Sequence, residues 1–222
     1  FNTAAFYTDI QDLQVTLDAG SCSSRIVFNV EEAHTAGLEA ELGWSPADGL
    51  DLSFAASVLE AKFDSTVVDG GGNVIGGIED GNRLPSVPEL QLSAAGTYRW
   101  ASGWAGADAF VSGSVQHIGD RFTQPSDQTA TQGLPGATGL ALGALTGLEN
   151  PQDLVDLNLD AYTTLNLSTG LEFDTWTVTA YVNNVTDEEA DLSFDRERGG
   201  RARLGFNVNQ PRTFGVTMRM KF

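Results

Sequence analysis

The stretch that decides the fold is Gln210-Pro-Arg-Thr-Phe-Gly-Val-Thr-Met-Arg-Met-Lys-Phe222. From Thr213 onward, apolar and polar residues alternate without a break. Successive side chains of a β-strand point to opposite sides, so this segment is a strand with one apolar face and one polar, partly charged face. The apolar set is Phe214, Val216, Met218, Met220 and Phe222, and the polar set is Thr213, Gly215, Thr217, Arg219 and Lys221. A soluble β-sandwich and a membrane barrel both contain such strands, so this alternation alone leaves both open.

Composition narrows the function classes. The 222 residues include 12 Lys and Arg against 30 Asp and Glu, which gives a net charge of −18. Such an acidic chain is a poor partner for nucleic acid, whose phosphates need basic patches.

The single cysteine, Cys22, excludes an internal disulfide and is either an ordinary loop residue or a bridge to a part of the protein outside this sequence. The chain begins at Phe1 in strand-like sequence, without a signal peptide, which predicts a piece of a longer protein.

Alternation of the same kind recurs along the chain and predicts an all-β fold of eight strands. The predicted strands cover about Asn2 to Val15, Thr35 to Trp44, Leu50 to Val58, Glu89 to Trp100, Ala105 to Gln116, Thr164 to Phe173, Trp176 to Asn183 and Thr213 to Phe222.

The connections between these strands alternate strictly between long and short. The long ones are predicted at Asp18 to Asn29, Asp64 to Val87, Gly119 to Asp160 and Thr186 to Asn209, and the short ones at 45–49, 101–103 and 174–175. In an up-and-down antiparallel sheet this order places every long loop at one end. Outer-membrane barrels have that asymmetry, whereas a sandwich has no reason to sort its loops.

All four tryptophans, Trp44, Trp100, Trp104 and Trp176, lie beside a short turn. Amphipathic rings prefer the membrane–water boundary, while the core aromatics of a soluble sheet are found along strand centres. The two-residue alternation places Trp104 on the polar face and not on the apolar face, which predicts a register change beside its turn. The sequence therefore predicts an antiparallel transmembrane β-barrel segment with its apolar face toward lipid. The charged residues expected inside are Glu39, Glu41, Arg99, Asp108, Glu172, Arg219 and Lys221.

Three motifs carry a family resemblance. Tyr181-Val-Asn-Asn-Val-Thr-Asp187 resembles the "NxTD" signature of TonB-dependent outer-membrane receptors, with Asn183, Asn184, Thr186 and Asp187 as its members here. Ala36-Gly-Leu-Glu-Ala-Glu-Leu42 is similar to their "GxExE" strand. The segment from Pro211 resembles their closing strand, whose terminal aromatic, here Phe222, is the barrel-assembly signal.

The resemblance implies a bacterial outer-membrane receptor for active uptake of a scarce nutrient, such as a ferric siderophore, cobalamin or glycan, with energy from the inner membrane. It implies a plugged barrel of about 22 strands, of which residues 1–222 are the last eight, without the plug and the earlier strands. The partners implied are outer-membrane lipid and lipopolysaccharide, the rest of the receptor, the TonB complex through the plug, and the barrel-assembly machinery. No cofactor is expected. A small structural or adhesive barrel is the alternative, and a barrel closed by the first and last of these eight strands is the alternative architecture.

Function in such a receptor resides at the long-loop end. The candidate ligand contacts are Arg121 and Phe122 in one loop and the basic group Arg196, Arg198, Arg201 and Arg203 in another. A basic cluster in an acidic chain could attract an anionic ligand, but pairing with neighbouring acidic loops or lipid head groups is the more common role of such a cluster. No catalytic or dinucleotide-binding motif is present, and His34 and His117 lack metal-ligand spacing, so the sequence indicates neither an enzyme nor a metal site.

Overall fold

The computed structural model describes residues 1–19, 24–128, 140–141, 154–155, 157–196 and 204–221. Alternating sequence puts most of these residues into one antiparallel sheet whose eight strands pair in chain order. The strands are β1 (Asn2–Ala19), β2 (Ser24–Ala47), β3 (Leu50–Phe63), β4 (Leu90–Ala101), β5 (Asp108–Ile118), β6 (Tyr162–Glu172), β7 (Trp176–Asn183) and β8 (Thr213–Met220). All eight predicted strands are confirmed.

The first predicted loop is wrong, because β1 and β2 continue through most of 18–29. They form one long hairpin in which Ala19 pairs with Ser24. The two-residue alternation of β1 shifts by one residue at Asp12, so the sequence does not show that the strand continues. Asp12 has a φ of 55°, and Ile10 before it and Leu13 after it pack against the same apolar cluster, which regular alternation does not allow.

Strand β5 begins at Asp108 and not at Ala105 as predicted. The preceding residues form a turn in which Gly103, Ala105 and Gly106 have φ values of 69°, 49° and 73°. Trp104 lies within this turn and meets the edge of the Phe173 ring at 5.9 Å. Its departure from the strand parity therefore reflects a position in the turn itself.

Cross-strand register defines two faces of the sheet, because residues directly opposite each other project to the same side. The apolar face carries Leu38, Val58, Val111 and Leu167, and its Phe214 and Val216 are 71% and 74% exposed. The polar face carries Glu39, Glu41, Asp51, Arg99, Asp108, Glu172 and Arg219. The predicted grouping of the charged strand residues on one face is confirmed.

Glycines on the polar face accommodate aromatic rings from the neighbouring strand. Phe6 lies directly opposite Gly37, and Phe110 directly opposite Gly170. A Cβ at Gly37 would lie 2.6 Å from the Phe6 ring, and one at Gly170 would lie 2.7 Å from the Phe110 ring. These positions therefore require the absence of a side chain, and the aromatic ring fills the gap.

Apolar packing occurs at the long-connection end of β1–β3. Val15, Val30, Ala33, Phe63 and Ile78 form a buried cluster there. Val67, Ile75 and Leu84 of the β3–β4 connection pack against it, so this connection folds back onto the polar-face side of the sheet.

The two outermost strands, β1 and β8, are not paired with each other, so the described strands form an open sheet and not a closed eight-stranded barrel. Among the described residues, no helix is both long and apolar enough to span a membrane. The short connections β2–β3, β4–β5 and β6–β7 lie at one end of the sheet, and the longer β3–β4, β5–β6 and β7–β8 connections lie at the other.

Candidate functional site

The described parts of the three longer connections contact one another at their end of the sheet. We call them the loop cluster: residues 64–89, 119–128, 157–161, 184–196 and 204–212. Backbone hydrogen bonds hold parts of this cluster together. Within the β5–β6 connection, the short strand Arg121–Phe122 pairs with Asn158–Leu159. Between connections, Ser86 N donates to the Phe122 carbonyl at 2.7 Å. A second hairpin pairs Asp191–Arg196 with Leu204–Val208.

Arg83 joins the first two connections. Its Nη1 and Nη2 donate to Oδ2 and the carbonyl oxygen of Asp120, each at 2.8 Å, and its guanidinium lies 5.2 Å from the centre of the Phe122 ring. The side-chain amide of Gln128 accepts from Arg83 N and donates to Arg83 O, both at 2.8 Å. Sequence reasoning missed Arg83, because a single arginine in a polar loop has no periodicity and its partner lies 37 residues away.

Arg121 and Phe122, two of the predicted ligand contacts, occupy the interior of the loop cluster. Arg121 is 8% exposed, its Nη2 donates to the Leu192 carbonyl at 2.9 Å, and its guanidinium lies 5.8 Å from the Tyr162 ring centre. Its Nη1 is buried and has no hydrogen-bond partner in the part of the chain that the structure describes. A buried donor is costly when it is left unpaired, so among the described residues this atom is a candidate binding group.

The basic group is only partly described. Arg196 ends the strand Asp191–Arg196, where it pairs with Leu204. Arg198, Arg201 and Arg203 lie outside the described residues, as does Phe222. Of this group, the structure therefore describes only the strand position of Arg196.

The motif at Asn183, Asn184, Thr186 and Asp187 forms the turn that leaves β7. Asn184 is 4% exposed with a φ of 50°, and its Nδ2 donates to the carbonyls of Glu188 (2.8 Å) and Gln210 (3.1 Å). Asp187 Oδ1 accepts from Arg212 N at 2.9 Å, immediately before β8. Asn183 pairs with Thr213 within the sheet, and Thr186 is exposed. These contacts connect the end of β7 to the start of β8, so the motif holds structure together.

A charged group lies on the apolar-face side just beyond the last apolar residues, Ala36 of β2 and Val58 of β3. His34 Nδ1 lies 2.7 Å from Asp64 Oδ1 and its Nε2 lies 3.4 Å from Glu60 Oε1, while the Tyr7 ring stacks on the imidazole at 5.8 Å. The hydrogen bond to Asp64 raises the pKa of His34 above 6.5. The hydrogen bond from Lys62 lowers the pKa of Glu60. The contact between His34 and Asp64 thus holds the first residue of the β3–β4 connection against β2.

Two further carboxylates of the loop cluster have shifted pKa values. Burial raises the pKa of Asp127, whose Oδ2 accepts from Thr123 Oγ1 at 2.6 Å and from Gln124 N at 2.9 Å. Hydrogen bonds from Asn73 and Gly71 lower the pKa of Asp69, which shapes the exposed tip of the β3–β4 connection. Each of these carboxylates accepts hydrogen bonds from residues two to four positions away and so stabilises a local turn.

Along the polar face, charged side chains form ion pairs near the short-turn end. Arg99 Nη1 lies 3.4 Å from Asp51 Oδ2, and Arg99 Nε lies 3.8 Å from Glu172 Oε2. Lys221 follows β8 and its backbone N donates to the Thr175 carbonyl at 2.8 Å.

No group of three or more His, Cys, Asp or Glu suited to a metal ion occurs in the part of the chain that the structure describes. The contacts of the loop cluster described above are made by arginine, amide and aromatic side chains.

Comparison with known proteins places this geometry in context. The family model "TonB dependent receptor-like, beta-barrel" matches residues 1–185. The ferric yersiniabactin uptake receptor FyuA from Yersinia pestis superposes with a TM-score of 0.68 at 20% identity, over 99% of this chain and 27% of that one. The ferric-catecholate import receptor Fiu from E. coli K12 gives 0.63 at 17% identity, over 99% and 25%. The ferripyoverdine receptor of Pseudomonas aeruginosa gives 0.56 at 16% identity, over 99% and 24%.

At these identities the structures share the fold, and the chain spans about a quarter of the length of each. No curated protein matches the sequence.

Proposed function

Because this chain belongs to the TonB-dependent receptor-like β-barrel family, we propose that it forms part of an active-transport receptor that takes up a scarce nutrient with energy from the inner membrane. Members of the family are outer-membrane proteins, so the apolar face of the sheet meets lipid and the polar face is lumenal. The family is one of receptors and transporters and not of enzymes. It does not favour the alternative of a small structural or adhesive barrel.

The observation that carries the proposal is the loop cluster. The long connections emerge at the end that faces outside the cell in such barrels, and side-chain hydrogen bonds hold them together across as many as 71 residues of sequence. A surface built from several connections in this way is suited to capturing a ligand. The solved structures named above are receptors for ferric siderophores, which makes a ferric siderophore the first cargo to test.

We propose that the eight strands are the C-terminal part of a larger barrel of about 22 strands with a plug. The two open edges of the sheet support this, because unpaired backbone groups are not tolerated in lipid. The remaining strands, the plug and, through it, the TonB complex are then partners of this segment. Lipopolysaccharide surrounds it, and the barrel-assembly machinery recognises Phe222.

Within the loop cluster, we propose Arg121, Phe122, Arg196, Arg198, Arg201 and Arg203 as the ligand contacts. The unpaired Nη1 of Arg121 is the strongest support, since it is a donor with no partner among the described residues. An anionic group of the cargo would complete it through a charge-assisted hydrogen bond. The alternative role for the other arginines is pairing with acidic loops or lipid head groups.

The test replaces these arginines with glutamine in the full receptor and measures uptake of ferric siderophores by cells that depend on it. Loss of a charged hydrogen bond should raise the KM for uptake about tenfold or more. Arg219→Gln is the matched control, because Arg219 lies on the same chain but at the short-turn end of β8. Uptake and binding that stay unchanged in the glutamine variants would remove these arginines as a site.

A further inference from the structure

A groove of about 430 Å³ crosses the apolar face of β2–β5. It runs between two cross-strand rows, one of which includes Leu42, Phe54 and Val115, and the other Ala40, Ala56 and His117. Four adjacent strands span roughly 14 Å at the usual strand spacing, so the groove is long and narrow. On a lipid-facing surface, a groove of this shape fits a single hydrocarbon chain.

The groove has one polar end. Among its lining residues with side chains on the apolar face, only His117 is polar. His117 lies one residue before the end of β5, at the long-connection end of the sheet. Its Nδ1 contacts Thr163 Oγ1 at 2.9 Å, and Nε2 has no hydrogen-bond partner among the described residues. The Nε2 atom is therefore a polar contact point where the apolar groove ends.

This arrangement matches the amphipathic structure of a membrane lipid. Strands of such barrels tilt by about 35–45° from the membrane normal, so a groove perpendicular to them rises obliquely through the apolar band. Its His117 end is the one nearest the cell exterior, because long loops of outer-membrane barrels face outward. A chain lying in the groove would therefore place a hydroxyl group that it carries beside His117 at the height of the outer leaflet.

We propose that this groove binds one acyl chain of outer-leaflet lipopolysaccharide, with a hydroxyl oxygen of the chain accepting a hydrogen bond from His117 Nε2. Burial of the chain against Leu42, Phe54 and Val115 gives affinity, and His117 favours lipid A over phosphatidylethanolamine, whose acyl chains carry no hydroxyl. The inference depends on the outer-membrane location of the chain and is independent of the cargo that the receptor transports.

The test uses the purified, delipidated full receptor in detergent, titrated with lipid A and, separately, with phosphatidylethanolamine. Bound lipid is counted by native mass spectrometry. Ala40→Leu combined with Ala56→Leu fills the groove and should weaken the tightest lipid A binding about tenfold or more. His117→Ala should weaken lipid A binding and leave phosphatidylethanolamine binding unchanged.

Ala5→Leu is the matched control. Ala5 is an exposed alanine on the same face of β1, opposite Leu38 and outside the groove, so its replacement should leave lipid A binding unchanged. Heat-modifiable gel mobility verifies that each variant is folded. The proposal is overturned if the filled variant binds lipid A as tightly as the wild type, or if phosphatidylethanolamine binds the groove as tightly as lipid A.

Discussion

At the scale of single residues, His34 links pH to the position of the β3–β4 connection. Its raised pKa means that the contact with Asp64 stabilises the folded arrangement fully below the ordinary histidine value of 6.5. That contribution is lost as pH rises through the raised value. We expect amides of residues 64–67 to exchange faster at about pH 8.5 than at about pH 6 after correction for intrinsic exchange, as measured by hydrogen-exchange mass spectrometry on the full receptor.

Variants of the partners identify the source of this effect. Asp64→Asn removes the largest cause of the raised pKa, so it should abolish most of the pH dependence. Glu60→Gln removes the weaker partner at 3.4 Å and should reduce the dependence less. An equal pH response in wild type and Asp64→Asn would contradict the assignment to His34.

Residue roles at the loop end were only partly predictable. The sequence predicts Arg121 as a ligand contact because it lies in a long loop, and its Nη1 has no hydrogen-bond partner among the described residues. The sequence does not indicate a role for Arg83, because its contacts are with Asp120 and Phe122, which only the folded chain brings near. Long-range partners of this kind leave no local pattern in the sequence.

At the scale of elements, the aromatic–glycine pairs hold neighbouring strands at close approach. Gly170→Ala places a Cβ against both the Phe110 ring and the Val178 carbonyl. Overpacking of this kind costs about 1–3 kcal/mol. We expect a loss of that size in the free energy of unfolding, measured by urea titration of the full receptor in lipid vesicles.

Gly43→Ala is the control for this change. Gly43 lies on the same polar face, and a Cβ there meets no atom within 4 Å. The same substitution should therefore leave the free energy of unfolding nearly unchanged. Equal losses at Gly43 and Gly170 would show that flexibility of the glycine backbone determines the cost, and not contact with the Phe110 ring and the Val178 carbonyl.

Strand positions were the most predictable feature of the chain, because lipid outside and a polar interior enforce a strict two-residue period. Prediction failed where that period changes. Asp12, with its φ of 55°, shifts the phase and hides the continuation of β1 and β2. Likewise, the positive φ values at Gly103, Ala105 and Gly106 delay β5 to Asp108, although alternation continues through Ala105 and Ala107.

At the scale of the whole molecule, the sheet has an apolar face that requires lipid and two strand edges that lipid does not tolerate when they are unpaired. Its apolar face needs lipid, since residues such as Phe214 and Val216 are largely exposed. Its outer strands β1 and β8 have one unpaired side each among the described strands. The proposed larger barrel would meet both needs, because its further strands would pair with β1 and β8 within the membrane.

Residues 1–222 produced alone should therefore fail to form an inserted barrel, whereas the full receptor should insert. Each unpaired backbone group in lipid costs several kcal/mol, and two open edges carry many such groups. The measurement is heat-modifiable gel mobility and protease resistance in lipid vesicles, with the full receptor in the same vesicles as the control. The mass of this chain is 23.6 kDa. An inserted, protease-resistant and heat-modifiable species of that mass would contradict the larger barrel, because it would mean that β1 and β8 can pair with each other.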